Sequence, residues 1–175
     1  MAALFNDSDE ALKFAYRMEE TTQFAINGYG TVRGGGALSP HELRAQAVFI
    51  RKIVAELTPA HLRAYGWAAY AWNELSTRGR VVVDRYIAKH VASDSPRLVQ
   101  LLVSRYIELG DETRPTQRMI AKEMQIRPVT VQHWEGRVNE AMTALEAAFF
   151  DRVDRHFIRI GLIEKPAKQN SLHTR

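Results

Sequence analysis

Apolar residues recur at every third or fourth position along most of this chain, and almost nowhere at every second one. That spacing predicts helices rather than strands. Asp7 and Glu10 read as a helix cap and its reciprocal partner, and Leu12, Phe14, Ala15, Met18 and Ala25 follow at helical spacing as far as Ile26. Ser39-Pro40-His41-Glu42 is a second start, because Ser can cap, Pro suits the first helical position and Glu stands three residues after Ser. Leu43, Ala47, Ile50 and Val54 then share one face. Thr58-Pro59 repeats the signal before an aromatic run ending at Trp72. A helix from Thr77 to Val91 is expected to turn Val82, Tyr86 and Ile87 inward. Ser95-Pro96 opens another, with Leu98, Leu101, Leu102 and Tyr106 inward and Gly110 as its stop. Val81-Val82-Val83 is the one β-branched cluster, and it sits within a helical pattern. The pattern as a whole predicts an all-α fold.

The main interruption is Asn27-Gly-Tyr-Gly-Thr-Val-Arg-Gly-Gly-Gly36, which holds five of the ten glycines. Glycine disfavours helix, so residues 27–37 read as a loop or arm. Gly28-Tyr-Gly30 does not make a phosphate loop, since no strand precedes it and no Lys-Ser/Thr follows. A flexible linker is one reading; an arm whose Tyr29 and Arg33 order on DNA or a partner is the other. The expected organisation is an N-terminal helical domain over 1–94, a second domain over 95–161 and a basic flexible tail over 162–175.

Composition narrows the chemistry. The 175 residues contain no cysteine, which removes zinc fingers, Fe–S sites and Cys nucleophiles. The six histidines lack metal-ligand spacing, and no catalytic constellation or cofactor motif is present, so the expectation is a non-enzyme without metal or cofactor. The acidic start is unlike a signal peptide, and the most apolar run, Ala64 to Trp72, is too short to span a bilayer. A cytoplasmic protein with no membrane partner is expected. Tyr65, Trp67, Tyr70 and Trp72 read as core, with Trp67 and Tyr70 on a shared face. Lys and Arg number 24 against 20 Asp and Glu, a modest basic excess compatible with nucleic acid.

That excess is concentrated. Between residues 113 and 137, Arg114, Arg118, Lys122, Arg127 and Arg137 face only Glu123 and Glu135, giving +3 of the chain's +4. The same stretch divides into two helices about a short turn. Ile120, Ala121 and Met124 lie on the first, Ile126 closes the turn, and Val131, Trp134 and Val138 turn inward from a second helix that begins at Pro128. A small Ala121 lets two helices cross closely, and the apolar wedge sets their angle, as in a helix-turn-helix. The outward face then carries Val129, Gln132, His133 and Gly136, flanked by Thr130 and Arg137. Gln can pair with adenine, His can reach guanine acceptors and Val can touch a thymine methyl. Val129, Thr130, Gln132 and His133 are thus the candidate base readers. The five cations are candidate phosphate contacts on double-stranded DNA.

These residues carry a resemblance. Residues 96–142 resemble the C-terminal DNA-binding region of the σ70 family, region 4, without gaps through Ile-Ala-Lys-Glu-Met, Gln-Ile-Arg, Thr-Val and Glu135-Gly-Arg137. Leu101 to Gly110 resembles the helix and loop that precede that motif. The resemblance implies that Pro128, Val129, Gln132 and His133 occupy promoter-reading positions. Pro128-Val129 replaces the family's Arg-Glu pair, which implies a different target sequence. Gln125 stands where the turn usually has Gly, so it must adopt a left-handed backbone or adjust the turn, and Arg127 replaces a capping Ser. In organisation, a small all-α protein ending in such a module is similar to phage late-gene regulators of the antiterminator Q type. This implies bacterial RNA polymerase or a σ factor as partner. A repressor, an activator, a terminase small subunit or a non-enzymatic adaptor would use the same module.

Val131, Trp134, Val138, Ala141, Leu145, Ala148 and Phe149 keep three-four spacing, and Val153, Phe157 and Ile160 extend it to a stop at Gly161. Such a stripe serves either as a homodimer seam or as the face that packs on the chain's own N-terminal part. The apolar Ala147-Ala-Phe-Phe150 must be covered by one or the other.

Overall fold

The computed structural model describes residues 4–20, 39–108 and 114–164, and the described residues form seven α-helices and no strand. These are α1 (Ser8–Glu20), α2 (Pro40–Ala55), α3 (Ala60–Tyr70), α4 (Glu74–His90), α5 (Pro96–Ile107), α6 (Gln117–Met124) and α7 (Pro128–Arg159). The Gly-rich arm at 27–37, Ala25, Gly110 and residues 165–175 lie outside the described residues.

Capping residues set most of the helix starts. Asp7 Oδ1 accepts from the Glu10 N–H at 2.8 Å, while Glu10 reaches back to the N–H of Asn6 rather than of Asp7. Ser39 and Glu42 form the full reciprocal box on α2. Asn73, Ser95 and Thr116 cap α4, α5 and α6 through their side chains. Thr58-Pro59 departs from expectation. Pro59 stays extended, its carbonyl accepts from Leu62, and the helix opens one residue later at Ala60 with no side-chain cap.

The 32-residue α7 is the axis of the fold. Its first turns pack on α5 and α6, and its remainder packs on α1, α2, α3 and α4. Val138, Met142, Leu145, Phe149, Val153 and Phe157 are all buried within this one chain. The stripe that could have served as a homodimer seam is therefore consumed by intrachain packing, apart from Ala148 and Ile160, which are exposed. Phe149 lies 5.2 Å from the Tyr65 ring and 6.4 Å from the Tyr70 ring, centroid to centroid. The tyrosine hydroxyls are anchored too. Tyr70 donates to Asp9 at 2.7 Å and Tyr106 to Glu146 at 2.6 Å. Burial, reinforced by Glu146, pushes the Tyr65 hydroxyl far above its ordinary range.

Two inward assignments and one boundary are corrected. Trp72, read as core, follows the end of α3 and is 54% exposed. Val82 is exposed and Val83 is buried in its place, because the register of α4 is set by Gly79, Val83 and Ile87 facing α3 and the core. The chain does not leave the fold at residue 162. Gly161 ends α7 with φ +70°, after which Leu162 and Ile163 are buried and Phe5 donates its N–H to the Leu162 carbonyl at 3.2 Å.

Asp84 on α4 is half-buried, and burial raises its carboxyl to about 6 against the lowering pull of Arg80. A carboxyl raised in the folded state costs stability when ionised, so the cost grows between its unfolded value near 3.8 and about 6 and persists above that. Asp84→Asn is therefore expected to stabilise the protein at pH 7 by about 1–2 kcal/mol, after discounting for solvent screening, and by almost nothing below about pH 4. Urea unfolding at the two pH values reads this directly; an equal effect at both would exclude it.

Candidate nucleic-acid interface

The expected two-helix segment forms with its apolar wedge inside. Thr116 opens α6 by accepting from the Met119 N–H at 3.2 Å. Ile120, Ala121 and Val131 are buried, and Met124, Ile126 and Trp134 pack against them partly covered. Gln125 takes the left-handed conformation, φ 54° and ψ 37°, at the end of α6. A non-glycine residue is strained there, but the sharp reversal is completed by the Ile126 N–H bonding to the Ala121 carbonyl at 3.1 Å. Arg127 then precedes Pro128 as the N-cap of α7 and makes no side-chain capping bond.

An ionic network behind this pair holds α5, α6 and α7 together. Arg105 on α5 donates from Nε to Glu135 on α7 at 2.7 Å and from a terminal nitrogen to the Pro115 carbonyl at 2.9 Å. Gln117 on α6 donates to the other Glu135 oxygen. Burial alone would raise the Glu135 carboxyl, but the bonds from Arg105 and Gln117 and the charges of Arg105 and Arg114 outweigh it and hold it below its ordinary value. The stability it lends is present at neutral pH and is lost as the pH falls through that lowered value. Closer to solvent, Arg97 pairs with Glu123 at 2.7 Å. Both acids of the basic stretch are thus neutralised from α5.

Val129, Gln132 and His133 lie on the side of α7 away from the wedge, whereas Thr130 lies one turn before Trp134, on the wedge's flank. Val129, Gln132, His133 and Gly136 are exposed, and Thr130 is half-buried. Val129 is 66% exposed, high for an apolar side chain beside a packed wedge. Nothing would lie within 4 Å of a Cβ on Gly136, so this turn is open to an approaching surface. Of the five candidate phosphate contacts, Arg118, Lys122, Arg127 and Arg137 are exposed and no carboxylate pairs with them among the described residues. Arg137 rests over the Trp134 ring, 4.8 Å from its centroid, which restrains it on the flank of the helix. Arg114 differs: it is half-buried and its Nε donates to the Arg105 carbonyl at 2.9 Å, satisfying the last turn of α5.

Sequence reasoning did not find Arg97 and Arg105. Their partners lie 26 and 30 positions along the chain, beyond any local pattern. Compared with known proteins, the chain matches no family model, and no curated protein is significantly similar to it. No helix among the described residues is long and apolar enough to cross a membrane.

Proposed function

We propose that this chain is a sequence-specific DNA-binding transcription regulator that inserts the first turns of α7 into the major groove. The observation that carries the reading is the separation of charge around α6 and α7. Glu123 and Glu135 are neutralised by Arg97 and Arg105, while Arg118 and Lys122 on α6, and Arg127 and Arg137 flanking Gln132 and His133 along α7, remain exposed. Cations of this kind neutralise phosphates and fix the register, and the polar side chains between them read base edges. With the σ region 4 resemblance, the specific reading is a phage-type regulator of late genes. It acts with bacterial RNA polymerase in the manner of the antiterminator Q proteins.

Selection of bound sequences from a random duplex pool at near-physiological salt tests the proposal, with one enriched motif expected. Gln132→Ala and His133→Ala should each weaken binding to that motif by about 1–3 kcal/mol and relax its sequence preference. Arg118→Ala should weaken all duplexes alike and reduce the salt slope by about one. Binding of the enriched site unchanged by either base-face substitution would overturn the docking geometry.

The exposed Val129, with Met119 exposed on α6, favours a second reading in which the same face docks a protein. The two separate on salt. Multi-phosphate binding loses orders of magnitude in affinity between low and moderate salt, whereas docking on apolar side chains does not.

A further inference from the structure

Far from the candidate DNA face, a trough of about 310 Å³ runs between α2 and the end of α7, with Leu4, Phe49, Ile160 and Leu162 among its walls. Three of the largest exposed apolar side chains gather at it or beside it: Val48 at 56%, Phe49 at 46% and Ile160 at 42%. Exposed apolar side chains are ordinary when scattered, but grouped about a groove they mark an interaction surface. Cations neighbour the trough along the chain, Arg44 beside Ala45 and Arg159 beside Ile160. On α2, Val48 lies one helical turn from both Arg44 and Lys52. On α7, Arg152, Arg155, His156 and Arg159 line one face of the last turns, and Arg159 immediately precedes Ile160 of the trough. The acids beside them are largely spent. Glu56 faces Lys52 and Asp151 is bonded to Arg155, while Glu164, two residues past Leu162, is exposed. Arg44, Arg152 and Arg159 have no carboxylate partner among the described residues.

We propose that this trough docks an acidic, amphipathic segment of a partner protein. Its apolar side chains would enter between Phe49 and Ile160, and its carboxylates would meet Arg44, Arg152 and Arg159. The combination decides the class of occupant. A nucleic-acid backbone would satisfy the cations but leave the apolar walls exposed, and an uncharged apolar segment would leave the arginines unanswered. Arg155 lies 23 residues beyond Gln132 on one helix, or about 35 Å at 1.5 Å per residue, so this partner and DNA can bind together. The inference stands on a different surface from the DNA reading and does not depend on it.

The test is selection from a library of random 16-residue displayed peptides against the full chain, followed by affinities for the enriched sequences. Enriched peptides are expected to combine several Asp or Glu with Leu, Ile or Phe at helical spacing. Their affinity should fall about tenfold or more in Phe49→Ala, in Ile160→Ser and in the double substitution Arg152→Glu/Arg159→Glu. Gln132→Ala should leave it unchanged. Two trough variants from opposite walls and one from the rim guard against loss of fold in any single one, with helical content checked for each. Enrichment of basic or uncharged peptides, no enrichment, or binding unchanged in all three variants would overturn the proposal. So would concentration-dependent dimerisation abolished by Phe49→Ala, which would make a second copy the occupant.

Discussion

Phe149→Ala is expected to destabilise the protein by about 3–5 kcal/mol, a large share of the stability of an ordinary domain. The ring is wholly buried where α7 crosses α3. Tyr65 and Tyr70 pack on it from α3, Phe150 from its own helix at 5.4 Å, and Gly66 from so near that an added Cβ would fall 2.8 Å from the ring. Two tyrosine hydroxyls near this site are anchored at their far ends, Tyr70 by Asp9 and Tyr65 by Glu146, so the surroundings cannot close over the vacancy. The cost therefore includes most of the cavity term as well as the lost transfer free energy. Phe149→Leu, which keeps much of the volume, should lose about 1–2 kcal/mol. Denaturant midpoints at constant slope measure both. A loss under about 1 kcal/mol for the alanine variant would mean that the contact between α3 and α7 is not as tight as described.

Glycine to alanine is expected to act in opposite directions at two helical sites. Gly79 and Gly136 both lie inside helices, where replacing glycine with alanine ordinarily stabilises by up to about 1 kcal/mol. Gly136→Ala should deliver that gain, because nothing lies within 4 Å of the added carbon. Gly79→Ala should instead lose about 2 kcal/mol net, since overpacking costs about 3 and the helical gain offsets only part of it. Its new Cβ would fall 2.6 Å from the Ala64 carbonyl oxygen and 2.7 Å from the Ala68 nitrogen. Those are backbone atoms of α3 and cannot rotate aside, so the helices must separate. Thermal or urea unfolding of the two variants should move in opposite directions. Equal gains would show that α3 and α4 are free to part there.

Much of this was legible before any coordinates. Three-four spacing and the Ser-Pro starts at 39 and 95 located α2 and α5, and the first residue of α7 was readable as Pro128. The wedge of Ile120, Ala121 and Val131 was legible because its members lie within about a dozen positions of one another, so local periodicity and contact coincide. Gln125 stood out through the resemblance, as a residue at the usual Gly position that must turn left-handed or adjust the turn, and it takes the left-handed course. The candidate base face followed as the complement of the wedge. Val82 and Trp72 were misread for a common reason: periodicity admits neighbouring registers of an apolar run, and hydrophobicity does not say which side the partner helix lies on.

The sequence by itself determined the helical class, the starts of α1, α2, α5 and α7, and the division of the 116–142 segment into an inward wedge and an outward polar and basic face. Those properties depend on residues a few positions apart, linked by backbone geometry alone. Only the tertiary structure decided that the long stripe on α7 is covered by α1 to α4 of the same chain, that Leu162 and Ile163 return to the core, and that Glu123 and Glu135 are neutralised from α5. It also brought α2 alongside the end of α7 to form the trough lined by Phe49 and Ile160. Such pairings join residues tens of positions apart. Their free energy comes from burying complementary surfaces together, and no local pattern records which surface will be the partner.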